Sequence, residues 1–282
     1  MSSGNDLWDA LVVDVDDFPE PAGPWASDDD TEVLPLTPQR DGEPWPDRAG
    51  RIVVVIGATG GAGATTVACG MALALARTCS GTALLDLDFE LGDTHEAWGV
   101  PRHRTLGDLV PVLGELGPTH LDLIGYAHDS GVDLLLSPAS HGASNDWGRG
   151  DLAALLACAC LKGPVVVDAG RAPVHHVSVV CELAHTLVVV APATLRGARR
   201  AREVIDRCAA DKVRVVLNQP VGLRAELSSR AFAAACGRPV DSQLQSSPRE
   251  AERLRSGVGG RSRRGLLPRL AELVEADAHV AP

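Results

Sequence analysis

From residue 51 onward, short apolar runs alternate with longer stretches of helical periodicity. The runs cover residues 52–56, 82–88, 132–137, 164–170, 186–192 and 213–219. Residues 52–56 read Ile-Val-Val-Val-Ile. A continuous β-branched run with no polar face is the pattern of a strand buried on both sides of a parallel sheet. Helical patterns cover about 67–76, 149–161, 174–184, 194–210 and 223–236. This alternation predicts βαβ units, hence an α/β fold with a mostly parallel central sheet and helices on both faces. Another helix start stands at 246–250, with a serine cap, Pro248 in the first turn and Glu250 after it. Residues 266–276 place Leu266, Leu270, Leu273 and Val274 on one helical face.

The first 50 residues break the pattern. They hold 13 Asp/Glu against 2 Arg, and 7 of the 19 prolines. The remaining chain holds 24 charges of each sign, so the net charge of −11 belongs to the N-terminal stretch. Residues 1–49 therefore read as a disordered acidic tail, 50–278 as a single domain and 279–282 as a short end. Trp8, Trp25 and Trp45 in that tail read as incidental aromatics in preference to a docking motif. No apolar run reaches the 18 or so residues that span a bilayer, and no secretory signal opens the chain. Seven scattered cysteines without a C-x-x-C argue against a disulfide framework or zinc site and for a reducing cytoplasm.

The chemistry starts between the first run and the first helix, where residues 57–66 read GATGGAGATT. Glycines between a strand and a helix let backbone N–H groups converge on an anion at the helix N-terminus. Thr65 and Thr66 open the helix, where a hydroxyl can ligand Mg²⁺ beside bound phosphates. A Gly-rich turn with no ligand fits the loop alone equally well. Three carboxylates strengthen the phosphate reading. Asp168 ends the run Val165–Val167, the place of a Mg²⁺-ordering acid. Asp86 and Asp88 end the second run, and their spacing puts both on one strand face if the strand persists to Asp88.

The segment 57–76 resembles the deviant P-loop of the MinD/ParA ATPases, K-G-G-x-G-K-[ST]. Residues 84–100 and 105–109 resemble most the CpaE/TadZ branch, which serves Flp/Tad-type pilus or secretion systems and includes actinobacterial proteins described as septum-site-determining. The similarity covers about residues 51–275, with loop, D-x-D strand, Asp168 strand and the VVLNQ of 215–219 in family order. The first 50 residues are too few for that branch's receiver-like domain. The resemblance implies a three-layer P-loop NTPase fold, ATP or ADP with Mg²⁺, and a homodimer. It also implies pilus, secretion or division proteins as partners, and a cytoplasmic location reaching the inner face of the membrane. It places phosphate on Thr59, Gly60, Gly61, Ala62, Gly63, Ala64, Thr65 and Thr66, and metal on Thr65, Asp86 and Asp168. Asp88 positions water if hydrolysis occurs, and Asn218 reads adenine, although a turn-forming asparagine before Gln219 and Pro220 fits as well.

Both family lysines are missing. The signature lysine falls on Thr59, the second lysine on Ala64 and the leading glycine on Ala58. Loss of one charged hydrogen bond costs about 1.5–3 kcal/mol, roughly 10- to 150-fold in affinity, and phosphoryl transfer suffers more. The expectation is nucleotide binding with weak or absent hydrolysis. A slow ATPase using Arg171 as the replacement charge, and a scaffold that binds no nucleotide, are the alternatives. The arginines at 196, 199, 200, 202 and 207 are interrupted by Glu203 and Asp206, so a solvated helix face is expected in place of nucleic-acid binding. The apolar stripe of 266–276 suits packing on the core better than the membrane, because Glu272, Glu275 and Asp277 accompany it. Adjacent His175 and His176 point apart on a helix, against a shared metal.

Overall fold

Alternate residues of the first apolar run enter two different cores. In the computed structural model, Ile52, Val54 and Ile56 pack into one hydrophobic cluster, while Val53 and Val55 pack into another on the opposite face of the sheet. That is why the run has no polar side. The structure describes residues 51–278, except 90–91, 93, 139–146, 171–173, 209, 211, 221–223 and 259–264. The N-terminal tail with its three tryptophans and Arg171 therefore lie outside the described residues.

Chain order is β1 (Ile52–Gly57), α1 (Ala64–Leu75), β2 (Thr82–Asp86), α2 (Thr94–Ala97), a 3-10 segment (Leu106–Glu115), α3 (Pro118–Ile124), β3 (Tyr126–Ala127) and β4 (Val132–Leu135). Then follow α4 (Arg149–Cys160), β5 (Val165–Asp168), α5 (Val174–Glu182), β6 (Thr186–Ala191), α6 (Leu195–Arg207) and β7 (Val213–Pro220). The chain closes with α7 (Ser229–Cys236), β8 (Ser242–Ser246), α8 (Pro248–Arg255) and α9 (Leu266–Ala278). These strands form one sheet in the order β3-β4-β2-β5-β1-β6-β7-β8. All neighbours are parallel except the β3–β4 edge pair. The expected three-layer α/β architecture is therefore present.

Helices α1, α8 and α9 cover one face. Gly70 in the middle of α1 makes this possible: a Cβ there would lie 2.3 Å from Leu270 Cδ1 and 3.2 Å from Leu254 Cδ1. Leu266, Leu267, Leu270, Leu273 and Val274 are buried, so the apolar stripe of the last helix faces the core. The N–H of Leu266 at the start of α9 donates to Glu250 Oε1 of α8 at 2.6 Å. No helix among the described residues is long and apolar enough to cross a membrane. On α6, Arg200 pairs with Glu203 and Arg202 with Asp206, as expected of a solvated face.

Two local expectations are corrected, and one strand appears where none was expected. The second strand stops at Asp86 because the N–H of Asp88 turns back to donate to Asp86 Oδ1 at 2.9 Å, closing a side-chain turn. The two acids therefore do not share a strand face. Strand β8 reads Ser-Gln-Leu-Gln-Ser and has no apolar run to announce it. It forms by pairing with β7 along Val216–Pro220. The last expected helix before it, about 223–236, begins only at Ser229, where Ser228 Oγ accepts from the N–H of Ala231.

Candidate nucleotide site

Parallel strands β1, β2 and β5 all end at the same edge of the sheet, and the loop after β1 lies there. A crevice at the carboxyl ends of adjacent parallel strands is the usual ligand position in open α/β sheets. The loop is tied down at its base by the N–H of Ala58 donating to Val190 O (2.8 Å) and the N–H of Ala62 donating to Thr59 O (3.1 Å). Gly61 and Gly63 have φ of 73° and 92°. These left-handed turns, disfavoured for other residues, curl the chain so that successive N–H groups face one concavity. Gly63 then caps α1 without any side-chain cap, which leaves the positive end of the helix facing the cleft.

The cleft has a volume of about 260 Å³ and is lined by Gly57, Thr59 to Thr66, Asp88, Gly170 and Arg255. Gly60 and Gly61 are exposed, and a Cβ on either would meet nothing within 4 Å, so the mouth of the loop is open. Ala64 is buried at 8% exposure. Thr59 is half-buried at the rim. The sequence thus identified the lining of the loop side, while Gly170 and Arg255 are additions that tertiary packing brings.

Behind the loop the oxygens converge. A Cβ at Gly170 would lie 3.3 Å from Asp168 Oδ1 and 4.0 Å from both Asp88 Oδ2 and Thr65 Oγ1. Thr65, Asp88 and Asp168 therefore surround one point. Asp88 faces the cleft, whereas Asp86 and Asp168 are buried at 1% and 3% exposure. Asp86 pairs in register with Asp168 across β2 and β5. Burial, and then the neighbouring Asp168 carboxylate, push Asp86 up to about 7, against the hydrogen bonds from the Asp88 N–H and from Thr94. Ser137 Oγ also donates to Asp86, at 3.4 Å, and the N–H of Gly170 donates to Asp168 Oδ1 at 3.1 Å.

Asn218 sits under the loop, not at an open edge. Its Nδ2 donates to Ala62 O at 2.9 Å, and a Cβ at Gly63 would fall 2.3 Å from it. The amide thus holds the loop to β7. His176 is buried, with Nε2 3.2 Å from Trp147 O and its ring edge-on to Phe89, a core position.

The donor set fits a nucleotide with Mg²⁺. Hard oxygen donors from a hydroxyl and one or two carboxylates, with phosphates completing the shell, are what Mg²⁺ takes. No cluster of three or more His, Cys, Asp or Glu side chains among the described residues makes a metal site without such phosphates. The close pair Asp86 and Asp168 is an arrangement that a nearby divalent cation relieves.

Comparison with solved structures agrees on the architecture. A ParA family ATPase from Chlorobium tepidum TLS superposes with a TM-score of 0.69 at 20% identity, covering 83% of this chain and 99% of that one. The septum site-determining protein MinD complexed with Mg-ADP from Pyrococcus horikoshii OT3 gives 0.67 at 17% identity, covering 82% and 98%. The fold is that of the ParA and MinD ATPases. The cell division ATPase MinD of Pyrococcus furiosus gives 0.66 at 17% identity, covering 80% and 99%. No family model matches the sequence, and no curated protein matches it. Within this fold the loop after β1 reads GATGGAGATT and carries no lysine.

Proposed function

We propose that the chain is a regulatory nucleotide-binding protein of MinD/ParA type with weak or absent ATP hydrolysis. The carrying observation is the cleft itself. The glycine loop is open at its mouth, and Thr65, Asp88 and Asp168 meet at Gly170 behind it. Backbone amides of residues 60–66 and the α1 N-terminus would bind the phosphates. Thr65 and Asp168 would hold Mg²⁺, which supplies charge neutralisation between phosphate oxygens when bound. Asp88 would orient a water, and Asp86 supports the loop that carries Asp88. Without a lysine, the charge that develops during phosphoryl transfer lacks its preorganised partner, so binding outlasts catalysis.

The closer reading is a CpaE-like protein that acts by switching in the positioning of a septum or of a Flp/Tad-type pilus or secretion apparatus. It would work as a nucleotide-linked homodimer with assembly proteins at the cytoplasmic membrane face. The motif order of the sequence supports that branch.

Calorimetric titration with ATP and Mg²⁺ tests the core of the reading. Saturable binding and a raised melting temperature are expected, since a ligand of the folded state stabilises it by mass action. Phosphate release no faster than that of Asp88→Ala is expected. No binding of ATP or ADP by either method overturns the reading and leaves a scaffold.

A further inference from the structure

Among the described residues that line the cleft, Arg255 is the one cation. We propose that Arg255 supplies, from the end of α8, the positive charge to bound polyphosphate that the loop does not provide. This rests on the nucleotide-binding reading and names the residue that makes such binding strong.

The position of Arg255 is built into the packing. Its neighbour Leu254 is buried against α1, with its Cδ1 3.2 Å from where a Gly70 Cβ would stand. Immediately beyond, the chain turns at Gly257 with φ of 69°, where a Cβ would meet the Trp98 ring at 2.6 Å. These two fixed points clamp the C-terminal turn of α8 beside the helix whose N-terminus forms the cradle. Arg255 is left at the cleft, its side chain 35% exposed.

The chemistry of the side chain suits the task. Arg255 Nη2 donates to Glu252 Oε2 at 2.7 Å, one turn back on α8. Glu252 is 63% exposed, and a bond of this kind is worth little in water. A phosphate group carries more charge than one carboxylate and accepts the guanidinium fork in two parallel bonds. The arginine can therefore exchange Glu252 for phosphate. Because the cation rides on α8 and not on the loop, occupancy of the cleft becomes linked to the order of α8 and of α9, whose first N–H is capped by Glu250. A lysine on the loop carries no such link.

The test measures affinity of the full chain for Mg·ATP, Mg·ADP and tripolyphosphate by calorimetry. It compares the parent with Arg255→Ala, Arg255→Gln and Arg255→Lys, with melting curves recorded for each. Arg255→Ala and Arg255→Gln are expected to weaken Mg·ATP about 10- to 100-fold, and Arg255→Lys less. Arg253→Ala, an exposed neighbour outside the cleft, is expected to bind like the parent. Tripolyphosphate alone is expected to show the same ranking, which assigns Arg255 to phosphate and not to the base. Hydrogen exchange of residues 248–257 is expected to slow with Mg·ATP in the parent and not in Arg255→Gln. If the parent binds and both neutral variants bind equally well, this inference is overturned while nucleotide binding stands. If the parent binds nothing, both fall.

Discussion

The two sides of the cleft differ in what their side chains do for the fold. On the acid side, the two buried carboxylates also hold the chain together. Asp86 closes the turn after β2, Asp168 closes the turn after β5, and Ser137 donates to Asp86. On the phosphate side the fold is held by backbone and by Asn218, and the loop carries no lysine, with Thr59 at its rim and Ala64 at the start of α1. A lysine reaching into the cleft serves a ligand; an aspartate closing a turn serves the fold as well. Asp86 and Asp168 are therefore weaker evidence of catalysis than they look, and the open loop mouth is stronger evidence of binding.

The largest effect that can test this contrast is expected at Gly63. Gly63→Val forces a β-branched residue to φ of 92° and drives its Cβ onto Asn218 Nδ2. A loss of about 3 kcal/mol or more in urea unfolding is expected, from left-handed strain together with the broken Asn218–Ala62 bond. Gly60→Ala, with open space around its Cβ, should change stability by less than about 0.5 kcal/mol. Equal costs for the two would mean that the loop is not anchored through Gly63 and Asn218. Next in size is Ala64→Lys, which adds a charge to the loop without touching the acid side. Nucleotide affinity should rise by about 1.5–3 kcal/mol, roughly 10- to 150-fold, with a far smaller change in melting temperature of the ligand-free chain. Unchanged affinity by calorimetry would show that the missing charge is not what limits this loop.

How much was legible in advance follows the same division. The runs that became β1, β5 and β6 were readable because burial on both faces leaves no polar residue to obscure the strand. Asp168 was readable because a carboxylate ending such a run has few other places to be. The turn at Asp88 was not, since i, i+2 spacing cannot tell a continuing strand from an aspartate that captures a nearby N–H. Strand β8 was hidden because serine and glutamine flank its single leucine, and pairing with β7 together with burial of Leu244 specifies it. Arg255 carried no signal at all. It lies 190 residues from Thr65 in sequence, and the packing of Leu254 against α1 and the turn at Gly257 bring it to the cleft. Side chains tied to local backbone patterns can be read; those delivered by helix packing cannot.

A smaller effect separates the two tasks of the acid side. Asp86→Asn keeps an acceptor for the N–H of Asp88 and removes a buried charge beside Asp168. In EDTA at pH 8, above the value of about 7 to which Asp86 is pushed, the variant should be more stable than the parent by about 1–2 kcal/mol. The Mg²⁺-dependent part of nucleotide binding should fall at the same time. Opposite signs for stability and binding would show that Asp86 is kept at a cost to the apo fold. A variant that loses stability and binding together would show that its hydrogen bonds, not its charge, are what matter.

The smallest effect gives the scale against which the acid side is judged. Arg149 of α4 pairs with Glu182 of α5 at the surface, away from the cleft lining. The hydrogen bond from Arg149 holds Glu182 below the ordinary glutamate value of 4.5. A depressed folded-state pKa means stabilisation that is present above about 4.5 and lost as pH falls through the lower folded value. Both groups are more than a third exposed, at 54% and 35%, so solvent screens the pair and it should contribute about 0.5 kcal/mol. Glu182→Gln should therefore lower stability at pH 8 by only that small amount, and its difference from the parent should vanish as pH falls below 4.5. If it instead shifted the pH 8 midpoint as much as Asp86→Asn, the acid side would be no more coupled to the fold than any exposed ion pair, and the contrast between the two sides of the cleft would not hold.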